Sequence, residues 1–242
     1  MTDVYKAPEA ELNKPFEAGS YGSLENALAG NYNFDPVESY KKAWEIMPGL
    51  KGTFWIAMLI YIVIAGVLGA ITGFTLGSAD PYSFGVGDLI SQVLTTFLLS
   101  PLYAGIFMIL IKHSIGSPIQ VGELFNHYDK IIPIFIVMFL TQILVMIGLV
   151  LLIIPGIYLM VCFSFALPLV IEKNMSPIEA LKTSRKVVHH KWFSFAGFFL
   201  LGLVVILAGV LALLVGLVWA IPLASLAWAL VYRDVFGVES AG

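Results

Sequence analysis

The chain of 242 residues is 59% hydrophobic and 12% charged, with a formal net charge of −3 and a mean hydropathy of +0.92. A charged share about half that of a soluble globular domain excludes that class and leaves an integral membrane protein. The net charge decides little, because what matters in such a chain is where the charges fall.

Residues 1–33 read as a polar, mostly flexible cytoplasmic tail rich in Glu, Ala, Gly, Asn and Pro. One exception is Ser23–Gly30, which fits a short capped helix ending at the glycine. The first residues hold no apolar h-region, so no signal peptide is expected. A membrane domain over 34–242 follows. Asp35, Pro36 and Glu38 form a helix-start signal for an amphipathic helix over 35–47, carrying Tyr40, Trp44 and Met47 on one face. Trp44 suits a membrane interface, and Pro48-Gly49 ends the helix. The run 53–76 is uncharged and of spanning length, a polar turn covers 77–88, and 89–111 returns to Lys112.

A second start signal, Ser117, Pro118 and Gln120, predicts another amphipathic helix, with Val121, Leu124, Phe125 and Tyr128 at helical spacing. The charge-free run 131–171 would be roughly twice the thickness of the hydrocarbon core as one helix. It must therefore hold two spans, 131–153 and 157–171, with Pro155-Gly156 as the expected turn. A third signal follows: Ser176 as N-cap, Pro177 at the first helical position and Glu179 as the carboxylate of a capping box. Ile178, Leu181 and Val188 fall on one side of that helix, and Lys182, Arg185 and Lys186 cover the rest. The final run divides into 192–214 and 217–232 around Gly216, with Pro222 inside the last span.

The fold class is thus all-α integral membrane: six transmembrane helices as three hairpins. Each is preceded by an amphipathic helix expected on the cytoplasmic surface, in a threefold pseudo-repeat. No lysine or arginine falls in a hairpin turn, so the positive-inside rule puts both termini in the cytoplasm of a multi-pass protein. Pro101-Leu102 precedes Lys112 at the separation by which Pro222-Leu223 precedes Arg233, while Pro155 and Pro168 break that pattern in the middle hairpin.

Residues 155–192, PGIYLMVCFSFALPLVIEKNMSPIEALKTSRKVVHHKW, carry a Pro-Gly-Ile turn and a span ending in Pro168-Leu169-Val170. Glu172 follows, then Pro177, Ala180, Leu181 and Ser184. This stretch resembles a bacterial group of multi-spanning inner-membrane proteins, the YciC-type proteins and the membrane domain attached to some glycerophosphodiester phosphodiesterases. The resemblance implies the fold and a bacterial inner (cytoplasmic) membrane. It implies no activity, since no phosphodiesterase domain is recognised. Many relatives have Ser-Trp where this chain has Ser184-Arg185.

No residue set suggests catalysis. There is no Gly-x-Ser-x-Gly, no His-Glu-x-x-His and no glycine-rich phosphate loop. No metal or cofactor is expected: His113, His127, His189 and His190 lack a completing ligand shell and suit the interface. Cys162 reads as a buried structural thiol. Gln92, Thr95 and Gln142 are the candidate cavity-lining side chains, against the plainer reading of hydrogen bonds between helices. Lys182, Arg185, Lys186 and Lys191 are the candidate contacts for anionic headgroups or an acidic partner.

The expected function is therefore non-enzymatic: organising membrane lipids or a protein partner at the cytoplasmic leaflet, with no nucleic acid involved. The alternative is a carrier or flippase for an apolar or amphiphilic small molecule. The two differ in one structural requirement, a cavity between the hairpins.

Overall fold

The computed structural model describes residues 21–77 and 85–239. The expected tail up to residue 20 and the heart of the first hairpin turn, 78–84, lie outside the described residues. Those described form ten α-helices and no strand: α1 (Leu24–Ala29), α2 (Pro36–Ile46), α3 (Lys51–Leu76), α4 (Val86–Ser114), α5 (Ile131–Leu151), α6 (Ile153–Cys162), α7 (Ala166–Ile171), α8 (Pro177–His190), α9 (Trp192–Leu211) and α10 (Leu217–Phe236). Six helical stretches are long and apolar enough to cross a membrane, with α6 and α7 together making the fourth.

The helix starts follow the sequence signals unevenly. Ser23 accepts from the Asn26 N–H, and Gly30 closes α1 in the left-handed region at φ 78°. Asp35 accepts from the Glu38 N–H at 2.8 Å ahead of Pro36, as its position predicts. At α8, Pro177 is the first residue, but Ser176 makes no side-chain capping bond.

At 117–128 the expected amphipathic α-helix is absent. Ser117 and Pro118 lie in a loop, and only two 3-10 turns form, Val121–Phe125 and Tyr128–Lys130. The segment is pinned along α4 instead. Lys112 pairs with Glu123 at 3.1 Å, and Tyr128 reaches the Leu98 carbonyl at 3.4 Å. Gly105 lets the Leu124 backbone lie so close that a Cβ there would meet its Cα at 2.5 Å. A 3-10 turn rises about 2.0 Å per residue against about 1.5 Å for an α-helix, so it stretches further along its neighbour. The box carboxylate is Glu123, which accepts from the Gln120 N–H at 3.2 Å.

Prolines explain the interruptions. Each removes the N–H that would bond the carbonyl four residues back. Pro168 frees the Ser164 carbonyl, and the expected continuous span 157–171 breaks over 163–165 into α6 and α7. Pro155 lies in the first turn of α6, where its missing donor costs nothing, so the reversal comes earlier, at extended Leu152. There the backbones touch at Gly148 and Gly156; a Cβ on Gly148 would meet the Gly156 Cα at 2.9 Å. Pro101 and Pro222 stay inside α4 and α10 because their freed carbonyls find other donors. Ser100 Oγ donates to the Phe97 carbonyl at 2.9 Å, and the Trp55 indole of α3 donates to the Val218 carbonyl at 3.1 Å.

Within each hairpin the two helices differ sharply. In the most apolar stretch, 11% of residues are buried in α3, 17% in the span ending with α5 and 17% in α9. The returning helices reach 61% in α4, 56% in α6–α7 and 56% in α10. The inner three meet in an aromatic column: Phe165, in the α6–α7 break, stacks on Trp228 at 5.3 Å and packs against Tyr232 and Phe236. Trp228 in turn meets Phe107 of α4 at 4.5 Å. The Trp55–Val218 bond, together with Lys51 over the Trp219 ring at 5.4 Å, sets the start of α10 beside the start of α3. A regular up-and-down bundle would hold these points at opposite faces, so the third hairpin is tilted against the first.

The amphipathic helices do not lay their apolar faces on lipid. In α2, Tyr40 and Ala43 are buried against α9 and α10, while Trp44, expected on the same face, is 55% exposed. Helix α8 buries Ala180, Leu181, Ser184, Val187 and Val188 against α5, α6 and α7, leaving Ile178 exposed. Amphipathicity records that one face is covered; here the cover is protein.

Candidate functional site: a central cavity

A cavity of about 950 Å³ lies between the hairpins. Its walls come from six elements: α2, α3, α4, α6, α9 and α10. Most of the lining is aliphatic or aromatic, and among the described residues it includes no Asp, Glu, Lys, Arg or His. Five hydroxyls interrupt it, Tyr40 of α2, Tyr61 of α3, Tyr103 of α4, Ser164 just after α6 and Ser225 of α10. The Tyr61 and Tyr103 rings face each other at 6.2 Å. Burial pushes the Tyr40 phenol up to about 12, so it remains a neutral donor at any physiological pH. A smaller pocket of about 310 Å³ shares Tyr103, Phe107, Met160 and Ser164 with the cavity, and extends it between α4 and α5 to Thr141 and Gln142.

The residues singled out from sequence are dispersed. Gln92 is exposed and reaches Thr96 at 3.4 Å; Thr95 bonds Thr72 across the α3–α4 interface at 3.0 Å. Neither lines the cavity. Gln142 does line the side pocket. Lys182, Arg185 and Lys186 are exposed along α8, with no ion pair among the described residues. Lys191 is already engaged: it donates to the Tyr32 carbonyl and to Asn33 Oδ1, and lies over the Tyr32 ring. Two of the histidines serve helix ends. His113 bonds the Ile46 carbonyl that closes α2, at 2.8 Å, and His190 the Leu28 carbonyl of α1, at 3.3 Å. No group of three potential metal ligands occurs among the described residues.

The family-like stretch instead builds structure. Ser184 Oγ donates to the Cys162 carbonyl at 2.6 Å, capping the end of α6. Glu172 accepts from Tyr232 at 2.7 Å and pairs with Lys173 at 3.4 Å, and both charged side chains are about 95% buried, 4% and 5% exposed. Lys173 also meets Glu239 of the C-terminal segment at 3.2 Å.

Tyr40, Tyr61 and Tyr103 were not legible as a set, because they stand on three separate elements whose convergence is tertiary. The one available signal was that Tyr61 and Tyr103 sit within spans, whereas membrane tyrosines favour the interfaces. Compared with protein-family profiles, curated proteins and solved structures, the chain matches none of them. The reading of the site therefore rests on its geometry, which suits a neutral molecule with a large apolar body.

Proposed function

We propose that this is a non-enzymatic membrane protein that holds an apolar or amphiphilic small molecule between its hairpins, as a carrier does. The observation that carries the reading is the cavity: its about 950 Å³ lies within the range of small-molecule sites. A mostly apolar wall with five hydroxyls, Ser164 bonded to the Val161 carbonyl and the other four without a partner among the described residues, suits a hydrocarbon body bearing an uncharged oxygen function. The absence of fixed charge in the lining argues against ions and charged solutes. The bacterial inner membrane, cytoplasmic termini and kinship with the YciC-type group belong to the same proposal, supported by the charge pattern and the 155–192 motif.

Native mass spectrometry of the full chain, extracted gently with its own lipid, tests this. One stoichiometric small molecule should stay on the protein and be lost from the cavity-filling variant Ala196→Trp/Ser225→Trp. Tyr61→Phe/Tyr103→Phe should reduce its retention roughly tenfold, the value of one hydrogen bond in an apolar site. An empty wild-type protein, or equal retention in the filled variant, would sink the carrier reading.

A further inference from the structure

A second concavity, about 450 Å³, lies where α8 passes into α9, outside the central cavity. It is lined by Tyr158, His189, His190, Lys191, Trp192, Phe193 and Ser194, with no acidic side chain among the described residues. Two features distinguish it from an ordinary surface groove. The Trp192 indole nitrogen is buried with no hydrogen-bond partner, the only such side-chain atom among the described residues. Buried donors without acceptors are rare in folded proteins, and an unmade bond of this kind is costly. Beside it, Tyr158 OH and His189 Nδ1 are 2.9 Å apart. With the phenol donating, the imidazole proton is held on Nε2, which becomes a second donor. At the start of α9 the Ser194 and Phe195 N–H groups are taken by the Lys191 carbonyl, which leaves those of Trp192 and Phe193 to favour an anion at the same place.

The surface that leads away from this pocket is apolar. Phe193 is 86% exposed, and Leu200, Val204, Leu207 and Leu211 follow at helical spacing along α9, each more than half exposed. Donors at one end and a hydrocarbon stripe at the other match the two parts of a membrane lipid.

From these observations we infer that the α8–α9 junction is a binding site for the phosphate headgroup of an acidic phospholipid, whose acyl chain lies along α9. Trp192 and His189 donate to the headgroup oxygens, and Lys191 supplies the nearby positive charge while holding Tyr32. The site is independent of the central cavity and stands whether or not that cavity is occupied.

Delipidated full-length protein, titrated with phosphatidylglycerol or phosphatidylcholine in detergent and read by native mass spectrometry, tests the assignment. Phosphatidylglycerol should bind in preference, and Trp192→Phe/His189→Ala should weaken it roughly tenfold or more, since each bond to an ionised acceptor counts strongly. The melting temperatures of wild type and variant in detergent should agree, which separates loss of the site from loss of the fold. Lys182→Ser/Arg185→Ser/Lys186→Ser, on the exposed stripe of α8, should retain the lipid. Equal binding of the two lipids, or a larger loss in the α8 variant than in the pocket variant, would overturn the site. Inorganic phosphate at millimolar concentration should fail to displace the lipid. Displacement would assign the pocket to a soluble phosphate and overturn the lipid assignment.

Discussion

The helices that leave along the outside of each hairpin and those that return through its middle are all apolar enough to cross a membrane, yet they do different work. Helices α3, α5 and α9 carry few polar groups with a defined task, and most of their apolar side chains face outward. Helices α4, α6–α7 and α10 are interrupted by proline, packed on protein, and end in cations with partners: Lys112 on Glu123, Lys173 on Glu172, Arg233 on Asp234 and on the Ser114 carbonyl. A cation at a helix C-terminus is favourable in itself, and each of these also joins its helix to a neighbouring residue or segment. In every hairpin the returning helix is the less apolar of the two. The difference lies in how many polar obligations each helix discharges inside the protein.

The buried pair at the end of α7 gives the largest expected effect. Lys173→Met keeps the aliphatic stem but leaves the Glu172 carboxylate buried beside only Tyr232 and the Glu239 N–H. A loss of about 3–5 kcal/mol is expected in reversible denaturant unfolding in detergent. Adding Glu172→Gln removes the stranded charge and should recover most of it. If the single variant costs no more than the double, the pair contributes nothing to the inner set.

Next comes the junction between α6 and α8. Ser184 is fully buried, and its hydroxyl is the partner of the Cys162 carbonyl at the break that positions Phe165. Ser184→Ala leaves that carbonyl bare, at an expected cost of about 1–3 kcal/mol. Ser184→Thr, which keeps the oxygen, should cost less in the same thermal melts. Equal losses for the two would mean that volume, not the hydrogen bond, governs this site.

Sequence reasoning reached the hairpins because a span is a property of length and composition, and both can be counted. Proline positions located breaks, but not which side of the proline the chain reverses: Pro155 begins α6 rather than ending α5, because its missing N–H is harmless in a first turn. The amphipathic pattern identified α2 and α8 and misjudged what covers them. A face built from Tyr40 and Ala43 reads identically whether lipid or α9 lies against it. The failure at 117–128 has the same origin. Helical spacing was present, but Gly105 and Lys112 on α4 hold the segment in a longer path that local periodicity cannot register. The site was the least legible part. Gln92 and Gln142 are the longest polar side chains within the spans, whereas the cavity takes its polarity from tyrosines and serines supplied by separate elements.

The smallest expected effect tests the division itself. Leu207 of α9 is 51% exposed and Leu230 of α10 is 1% exposed, so the two leucines differ in surroundings and not in chemistry. Leu230→Ala opens a void in packed protein and should cost about 2–5 kcal/mol. Leu207→Ala exchanges contacts with lipid or detergent tails, which are as apolar as leucine itself, and should change stability by about 0.5 kcal/mol or less. Thermal melts of both variants in one detergent measure the contrast directly. Should Leu207→Ala instead prove as costly as Leu230→Ala, the outer face of α9 must be covered in solution. The stripe assigned to an acyl chain would then belong to a tightly held molecule or a second protein. The distinction between outer and inner helices would then hold for only two of the three hairpins.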